Sequence, residues 1–356
     1  MLPVLTGAFT GVAHAAPAAR TTTAPASKVL DVPLAKTAAD VKRVAEYWQP
    51  DRLKKADLYT PATPGSSTTS SATAAAAAPA ASVAAIKKST AAAAVPARLP
   101  RKSTAAKTMG KVFFRFGDKE YWCSASSVAA RNRSVVATAG HCAYDSYQAR
   151  AADYWIFVPN PGPNGETPDG IYVGASVSVH EDWSGKADYD YDYAFVTVHR
   201  GFTWVPKDGA YTMRDVGRLQ DNVGGQGLEL NKKPGTYTAT AFGYPAGAQP
   251  DGSQPYNGTK RYQCQGGTRY TVAPSRDLQK GVELQPCDFS AGASGGPWMV
   301  NWDESRRLGN LNGVNSLTWN RDAKGRYDSV SAPYFDTTTG EVYRRAAAIP
   351  TLVKVM

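Results

Sequence analysis

A glycine-rich stretch around one serine is the strongest chemical signal in the sequence. Residues 289–298 read FSAGASGGPW, so Ser294 lies among small residues and is followed by two glycines and a proline. Glycine is used where a chain adopts conformations closed to other residues, or where another group approaches the backbone closely. A tight turn or a bulge between strands would explain the pattern structurally. The chemical interpretation is a nucleophile, Ser294, held on a strained turn with backbone N–H groups facing a substrate oxygen.

A serine hydroxyl is a poor nucleophile at neutral pH and needs a base, commonly a histidine that a carboxylate orients. Of the four histidines, His14 lies in the apolar N-terminal stretch. We expect His141 to be the base, because the run SVVATAGHCAY delivers it from an apolar strand to a tight turn beside Cys142. A structural histidine at a strand end is the alternative. His180 and His199 follow plain strands, and we expect both to be strand-end groups at the surface.

The carboxylate is expected from the stretch ADYDYDYAFVTV. Asp188, Asp190 and Asp192 alternate with tyrosines, so on a strand they would share one face. Such a cluster usually forms a solvated face, and a calcium site is a weaker alternative. Asp192 alone adjoins the apolar run YAFVTV, where it could be buried against a histidine. We therefore predict that Asp192 is the orienting acid.

Short β-rich runs carry these residues. From about residue 108, runs such as KVFFRF, YWIFV and TYTATAFGY alternate with clusters of Gly, Pro, Asn and Asp, which is typical of strands and turns. No stretch of 12 or more residues there shows a helical period, so the sequence predicts an all-β fold. Because residues 108–356 are too many for one small barrel, we expect two packed antiparallel β-barrels.

The chain before residue 108 has a different composition. Residues 1–16 are small and apolar and end in Ala-His-Ala, which predicts a secretory signal peptide, truncated at its start because a positive charge is missing there. A buried N-terminal helix is the alternative. Residues 17–60 are predicted to be a pro-region with a short helix over 37–49, in which Thr37 and Asp40 form a capping pair and Pro50 marks the end. The Ala/Ser/Thr/Pro-rich residues 61–107 are predicted to be a linker.

The positive charge is concentrated in this leading part. Residues 1–107 hold 14 Lys and Arg against 5 Asp and Glu, whereas residues 108–356 hold 26 against 25. The predicted folded domain is thus nearly neutral, which argues against a nucleic-acid partner. No later segment has 18 uninterrupted apolar residues, so we expect an exported protein without a membrane partner.

The four cysteines are an even number in a chain that is expected to be exported, and they allow three disulfide connectivities. Pairing by proximity predicts Cys123 with Cys142 and Cys264 with Cys287. Each bond would close a loop of about 20 residues and contribute about 3 kcal/mol on the loop-entropy model. A zinc site is the alternative, but no C-x-x-C pair exists and secretion favours disulfides. We expect no metal and no cofactor.

Three stretches together resemble the motif blocks of trypsin-like (chymotrypsin-fold) serine peptidases. TAGHC, DYAFV and GASGGPW occur in the order His, Asp, Ser, with spacings of 51 and 102 residues between the three side chains. The stretch CDFSAGASGGPW is closer to secreted bacterial members, including the glutamyl endopeptidase-like group. The stretch VAEYWQPDRL resembles the pro-regions of secreted actinomycete peptidases of this kind. The resemblance covers most of residues 108–356.

The resemblance implies a secreted serine endopeptidase that acts on peptides or proteins. In that case His141 is the general base, Asp192 orients it and Ser294 attacks the substrate. The backbone N–H groups of Gly292 and Ser294 would form the oxyanion hole, and loss of one such donor costs about 3 kcal/mol of transition-state stabilisation.

The sequence departs from the family pattern in its activation signal. Animal members carry an aspartate before the serine that pairs with a newly freed N-terminus, and this chain has Ala293. We therefore expect activation by removal of residues up to about 107, with cleavage near one of the basic residues Arg98, Arg101, Lys102 and Lys107.

The specificity residues also differ from the family pattern. Asp288 stands six residues before Ser294, where trypsins place the acid that binds Arg or Lys, although the surrounding cysteine pattern differs. Glutamyl endopeptidases read the substrate carboxylate with a histidine where this chain has Asn315. Because they occupy these two specificity positions, Asp288 and Asn315 are the predicted substrate-binding residues. The strand 314–317 is expected to pair with an extended peptide.

Two other functions are compatible with parts of the sequence. GASGG also fits the nucleophile elbow of α/β-hydrolases, but those enzymes place the histidine after the serine and no histidine follows Ser294. A catalytically inactive peptidase fold that binds a partner remains the alternative.

Overall fold

The computed structural model of the protein describes residues 28–61, 98–102, 106–208 and 210–351. The predicted signal peptide and all of the predicted linker between residues 62 and 97 lie outside these ranges. The strands are β1 Val29–Pro33, β2 Asp57–Leu58, β3 Arg98–Lys102, β4 Met109–Phe116, β5 Lys119–Val128, β6 Val135–Thr138, β7 Tyr144–Asp145, β8 Arg150–Ala151, β9 Asp153–Pro159, β10 Tyr172–His180, β11 Ala194–Val198, β12 Gly201–Lys207, β13 Ala210–Gly217, β14 Gly227–Leu228, β15 Thr238–Gly243, β16 Tyr262–Ala273, β17 Leu278–Leu284, β18 Pro297–Asp303, β19 Leu308–Val314, β20 Leu317–Trp319 and β21 Ser329–Pro333. The helices are α1 Ala38–Tyr47, α2 Pro50–Lys55, α3 Glu181–Lys186, α4 Leu219–Val223 and α5 Thr337–Ala348.

Six antiparallel strands close the first barrel. Their order is β10-β11-β6-β5-β4-β9, and β9 pairs back to β10. Val112, Phe114, Phe157 and Val177 are fully buried in the same core. Such burial of apolar side chains stabilises a fold by roughly 25 cal/mol per Å² of apolar surface.

The second half of the chain forms a nine-stranded sheet. Its order is β14-β19-β18-β15-β16-β17-β21-β20, and β3 also pairs with β16. All of these pairings are antiparallel except that of β14 with β19. The predicted all-β, two-barrel fold class is confirmed. The strand β3 lies inside the range that the composition predicts to be a linker.

Residues 28–60 pack against the first barrel. β1 pairs antiparallel with β10, and β2 pairs parallel with β5. The predicted helix is present as α1, with Thr37 as its N-cap and a capping box to Asp40. Pro50 does not end a helical region as predicted, because it begins α2, where its missing N–H costs nothing. The indole of Trp48, between the two helices, is fully buried.

The helix α5 was not expected from the sequence. Its stretch TTTGEVYRRAAA is rich in threonine and contains Gly340, so its intrinsic helix propensity is low. Asp336 caps the start, and Thr197 and Asn132 donate hydrogen bonds to the carbonyl of Ala346 near the end. Tertiary contacts with β10 and β11 therefore stabilise this helix. Within the described part of the chain, the helices fall short of the length and apolar character that a membrane crossing demands.

Both predicted disulfides are present. Cys123 is bonded to Cys142 and Cys264 to Cys287, with Cα–Cα distances of 6.2 and 5.5 Å. The first joins β5 to the turn that follows β6, so it fixes the position of His141.

Candidate active site

His141 lies on a 3₁₀ turn, Gly140–Cys142, directly after β6. The disulfide of Cys142 holds one side of this turn. The indole of Trp183 packs on the other side, so closely that a Cβ on Gly140 would lie 2.9 Å from the ring. Because the imidazole is only 2% exposed, its orientation is set by protein contacts.

Asp192 provides the main polar contacts of this histidine. Its carboxylate is fully buried and accepts the backbone N–H of His141 at 2.9 Å. The second oxygen, Oδ2, lies 2.9 Å from His141 Nδ1. A carboxylate oxygen accepts hydrogen bonds, so in the neutral imidazole this contact favours the tautomer with the proton on Nδ1 and the free electron pair on Nε2.

Ser316 adds a contact that the sequence reasoning missed. Its hydroxyl donates to Asp192 Oδ2 at 2.6 Å, and it comes from the second half of the molecule. The only sequence signal was its place beside Asn315 in the strand that was expected to bind substrate. The pair of His141 and Asp192 is thus completed across the interface of the two halves.

Ser294 lies on the loop that precedes β18 and is partly exposed. Ser124 donates its backbone N–H to the Ser294 carbonyl at 2.8 Å. The next residue, Gly295, touches the end of β6, the strand that precedes the turn of His141, because a Cβ there would lie 2.1 Å from Thr138 Oγ1. The structure therefore places the loops of Ser294 and His141 against each other. His141 Nε2 has no hydrogen-bond partner among the described residues, so the bond from the Ser294 hydroxyl is not formed.

Gly292 has the backbone conformation that the sequence predicts for an oxyanion loop. Its φ of +94° is in the region that favours glycine, and a Cβ would lie 2.7 Å from both the Trp122 ring and the Tyr244 carbonyl. The backbone N–H groups of Gly292 and Ser294 donate to no backbone carbonyl of the described residues. Backbone pairing thus leaves both N–H groups unused beside the serine.

The Gly292 carbonyl is held by a buried serine hydroxyl, which the sequence reasoning also missed. Ser124 Oγ donates to Gly292 O at 2.8 Å and accepts the backbone N–H of Tyr244 at 2.9 Å. Ser124 follows Cys123 in β5. This short stretch therefore contacts the loop of Gly292 and Ser294 through Ser124, and it is joined to the turn of His141 through the Cys123 disulfide.

A family model described as Trypsin matches residues 100–338, about two thirds of the chain. The chain belongs to the trypsin family. Trypsin-family membership and this fold support a serine protease function, which implies peptides or proteins as substrates.

Solved structures agree with the trypsin-family assignment. The protease Anisep from Arthrobacter nicotinovorans is 28% identical, with a TM-score of 0.56, and the match covers 70% of this chain and 100% of that one. A thermostable serine protease, AL20, from an extremophilic microorganism is also 28% identical, with a TM-score of 0.55, and the match covers 68% of this chain and 97% of that one. No curated protein matches the chain in sequence.

The three aspartates of this trypsin-family chain do not share one strand face. Residues Tyr189–Tyr191 form a 3₁₀ turn, so the aspartates point to different partners. Asp188 accepts the N–H of Asp190, and Asp190 accepts the N–H groups of Gln279 and Lys280. Burial, together with the neighbouring carboxylates, raises the pKa of Asp188 to about 6. The solvated-face interpretation of the cluster is wrong, because Asp190 is 8% exposed and Asp192, the one expected to be buried, is fully buried.

The expectation that His180 and His199 are surface groups is wrong. They are 1% and 4% exposed, respectively. His180 stacks on Tyr191 with ring centroids 3.9 Å apart and caps α3 by accepting the Asp182 N–H. His199 Nε2 lies 2.8 Å from the carbonyl oxygen of Ala35, so the N-terminal segment covers it. Burial lowers the pKa of both imidazoles.

The two predicted substrate-binding side chains already have protein partners. Asn315 donates to the carbonyls of Phe242 and Ala293 and accepts the Trp298 indole N–H. It therefore holds the loop of Ser294 in place.

Asp288 accepts the Tyr256 hydroxyl at 2.6 Å and lies 3.5 Å from an Arg326 nitrogen. Part of its charge is therefore neutralised within the protein. The substrate-binding roles of Asp288 and Asn315 stay predictions, and these contacts do not add support to them.

Proposed function

We propose that the protein is a secreted serine endopeptidase in which Ser294, His141 and Asp192 form a catalytic triad. The buried contact between His141 and Asp192 carries the proposal, because in the neutral imidazole it favours a free electron pair on Nε2, an atom that has no hydrogen-bond partner among the described residues. A base in this state can accept the proton of a serine hydroxyl.

In the first half of the reaction, Ser294 Oγ attacks the carbonyl carbon of the scissile peptide bond while His141 Nε2 takes the hydroxyl proton. The negative charge that develops on the carbonyl oxygen is stabilised by the N–H groups of Gly292 and Ser294. Asp192 stabilises the imidazolium without accepting its proton. Nε2–H then protonates the leaving amine, and the C–N bond breaks to leave an acyl-enzyme.

In the second half, a water molecule gives a proton to His141 Nε2 and attacks the ester carbonyl. The same two N–H groups bind the second oxyanion. The proton returns to Ser294 Oγ as the carboxylic acid product leaves. The missing bond between Ser294 and Nε2 is compatible with this scheme, since catalytic hydrogen bonds often tighten only when substrate is bound.

A fluorophosphonate probe tests the proposal, because it reacts with an activated serine. The full chain should be labelled, and the label should disappear in Ser294→Ala. Ser305→Ala, which changes an exposed serine whose hydroxyl donates to Asp303, should keep the label. If the folded chain and its processed form both resist labelling, the inactive binding module replaces the peptidase as the favoured function.

Export and processing are part of the same proposal. The two disulfides support an oxidising destination. Removal of residues up to about 107 would have to detach β1, α1 and β2 from the first barrel. N-terminal sequencing of the exported protein tests this step, and a mature form that still contains the α1 sequence would contradict it.

Cleavage specificity needs a separate experiment. Profiling cleavage sites on a peptide library would decide between a basic preference set by Asp288 and another preference. A basic preference should weaken in Asp288→Asn, whereas an unchanged profile would exclude Asp288 as the specificity residue.

A further inference from the structure

The ring of Tyr59 covers one face of the His141 imidazole. The two rings are nearly parallel, with an interplanar angle of 28° and centroids 6.1 Å apart. Phe114, Phe116 and Tyr121 surround the other sides of Tyr59, with ring centroids 5.4, 5.2 and 5.0 Å away. Tyr59 is only 9% exposed. An aromatic side chain therefore fills an aromatic site beside the proposed catalytic base.

Backbone pairing brings Tyr59 to this place. Leu58 pairs in parallel with Trp122, and the Tyr59 N–H donates to the Trp122 carbonyl at 3.2 Å. The neighbouring strand β6 pairs with β5 only from Ser126 onward. The segment of β5 at Tyr121 and Trp122 thus has a free edge, which residues 57–59 cover.

The segment is anchored next to this edge. Glu120, at the start of β5, accepts the Tyr47 hydroxyl at 2.5 Å and forms an ion pair of 2.6 Å with Arg52. The Arg52 guanidinium also lies 4.0 Å from the centre of the Tyr47 ring. The buried Trp48 donates its indole N–H to the Tyr154 carbonyl. These noncovalent contacts hold the segment against the barrel and place Tyr59 on the histidine.

An exposed strand edge is a general binding mode for an extended peptide. The loop of Ser294 is hydrogen-bonded to Asn315 on one side and to Ser124 of β5 on the other. We expect the strand after Asn315 to pair with the residues before the cleaved bond, which form the acyl part of a substrate. The edge of β5 at Trp122 is then free to bind the residues after the cleaved bond, which depart as the amine. A substrate side chain on these departing residues would point to the aromatic site that Tyr59 fills.

We propose that Phe114, Phe116 and Tyr121 form a subsite for an aromatic side chain on the leaving-group side of a substrate, and that Tyr59 occupies this subsite in the uncleaved chain. The proposal rests on the proposed peptidase function. It specifies which side chain the enzyme prefers after the cleaved bond. It also specifies the contact by which residues 57–59 block that subsite. A peptide substrate must displace these residues from the edge of β5 before it can reach His141.

The test compares the full-length chain with Tyr59→Ala and Tyr59→Phe. Phenylalanine keeps the ring, so Tyr59→Phe is the matched control for the loss of the phenyl group.

Two probes are used on all three proteins. Diethyl pyrocarbonate modifies an accessible, unprotonated imidazole, and mass spectrometry locates the modification at His141. A fluorophosphonate measures the reactivity of Ser294. Circular dichroism confirms that each protein is folded, and intact mass confirms that it is uncleaved.

Tyr59→Ala should increase the modification rate of His141 and the labelling rate of Ser294 about tenfold, whereas Tyr59→Phe should match the parent. Equal rates at His141 in all three proteins would overturn the proposed contact. A higher rate at His141 with no labelling of Ser294 in any protein would leave the contact standing and reject the peptidase function.

A peptide pair tests the subsite itself. In Tyr59→Ala, a substrate with Phe as the first or second residue after the cleaved bond should have a higher kcat/KM than the same peptide with Ala. The Phe peptide should also slow the modification of His141 more than the Ala peptide does. Equal values for the two peptides in both measurements would overturn the assignment of the aromatic site to substrate.

Discussion

The hydroxyl of Ser124 donates a hydrogen bond to the carbonyl oxygen of Gly292 at 2.8 Å. Ser124 is buried on a strand of the first barrel, whereas Gly292 belongs to the loop that presents N–H groups beside Ser294. The same hydroxyl accepts the N–H of Tyr244. One side chain of the first barrel therefore fixes the peptide unit that lies between the two N–H groups proposed as oxyanion donors.

Ser124→Ala should lower kcat about 10- to 100-fold with a smaller change in KM. The substitution leaves the Gly292 carbonyl and the Tyr244 N–H without their partner, and such a loss costs about 1–3 kcal/mol. Ser127→Ala is the matched control, because this buried serine of the same strand donates to the Gly224 carbonyl away from the site. Steady-state kinetics on both variants check the prediction, and an equal loss of activity in the two would contradict it.

Gly292→Ala should reduce fluorophosphonate labelling by about 100-fold or more. The new Cβ would lie 2.7 Å from the Trp122 ring and the Tyr244 carbonyl, so the loop must move away from its position. Gly235→Ala is a stringent control, since Gly235 also has a positive φ, +86°, but has open space around it. Gly235→Ala should lose about 1 kcal/mol of stability from its positive φ alone, and Gly292→Ala should lose more because of the close contacts. Loss of labelling in Gly235→Ala as well would show that backbone strain alone explains the effect.

Trp48→Ala should destabilise the full-length chain by about 3–5 kcal/mol, because it removes a fully buried indole. Tyr211→Ala, at a position that is 63% exposed, should change the free energy of unfolding by no more than about 0.5 kcal/mol. Urea unfolding followed by fluorescence measures both. An unchanged midpoint for Trp48→Ala would mean that residues 28–60 do not unfold together with the first barrel.

Asp188→Asn should stabilise the protein at pH 7.5 but not at pH 4. The folded-state pKa of about 6 is above the value of about 3.9 for an unfolded chain, so the folded state binds the proton more tightly. The cost of the charged carboxylate is absent below about pH 4 and complete above about pH 6. Asparagine keeps an acceptor for the Asp190 N–H and removes that cost.

The expected gain for Asp188→Asn is about 1–2 kcal/mol at pH 7.5, after allowance for partial exposure of the side chain. Urea unfolding at the two pH values measures this gain. Asp118→Asn, which changes an exposed aspartate, is the control. A gain of the same size at pH 4 would show that charge is not the cause.

The sequence best predicted those site residues whose chemical role can be inferred from the few residues on either side of them. His141 follows an apolar strand and precedes a cysteine, and Asp192 precedes another apolar strand, so short motifs were enough to select the two residues that contact each other. The glycines around Ser294 similarly predicted backbone conformations that other residues rarely adopt. Pairing by proximity was sufficient for both disulfides because each joins neighbouring elements.

Contacts between distant parts of the chain were not predictable in this way. His199 is buried because Ala35 lies over it, and no feature near His199 indicates that contact. The helix α5 depends on β10 and β11 for its stability, so its low intrinsic propensity was misleading. Ser124 and Ser316 have no motif of their own, since a buried serine hydroxyl takes its role from the group that it meets.

The carboxylate of Asp192 is bonded from both halves of the molecule, through the backbone and ring of His141 and through the hydroxyl of Ser316. A chain whose second sheet is unfolded or displaced would lose the Ser316 bond, and the acid would then be anchored by contacts within the first half. The geometry of this acid–base pair is therefore complete only after both halves have folded.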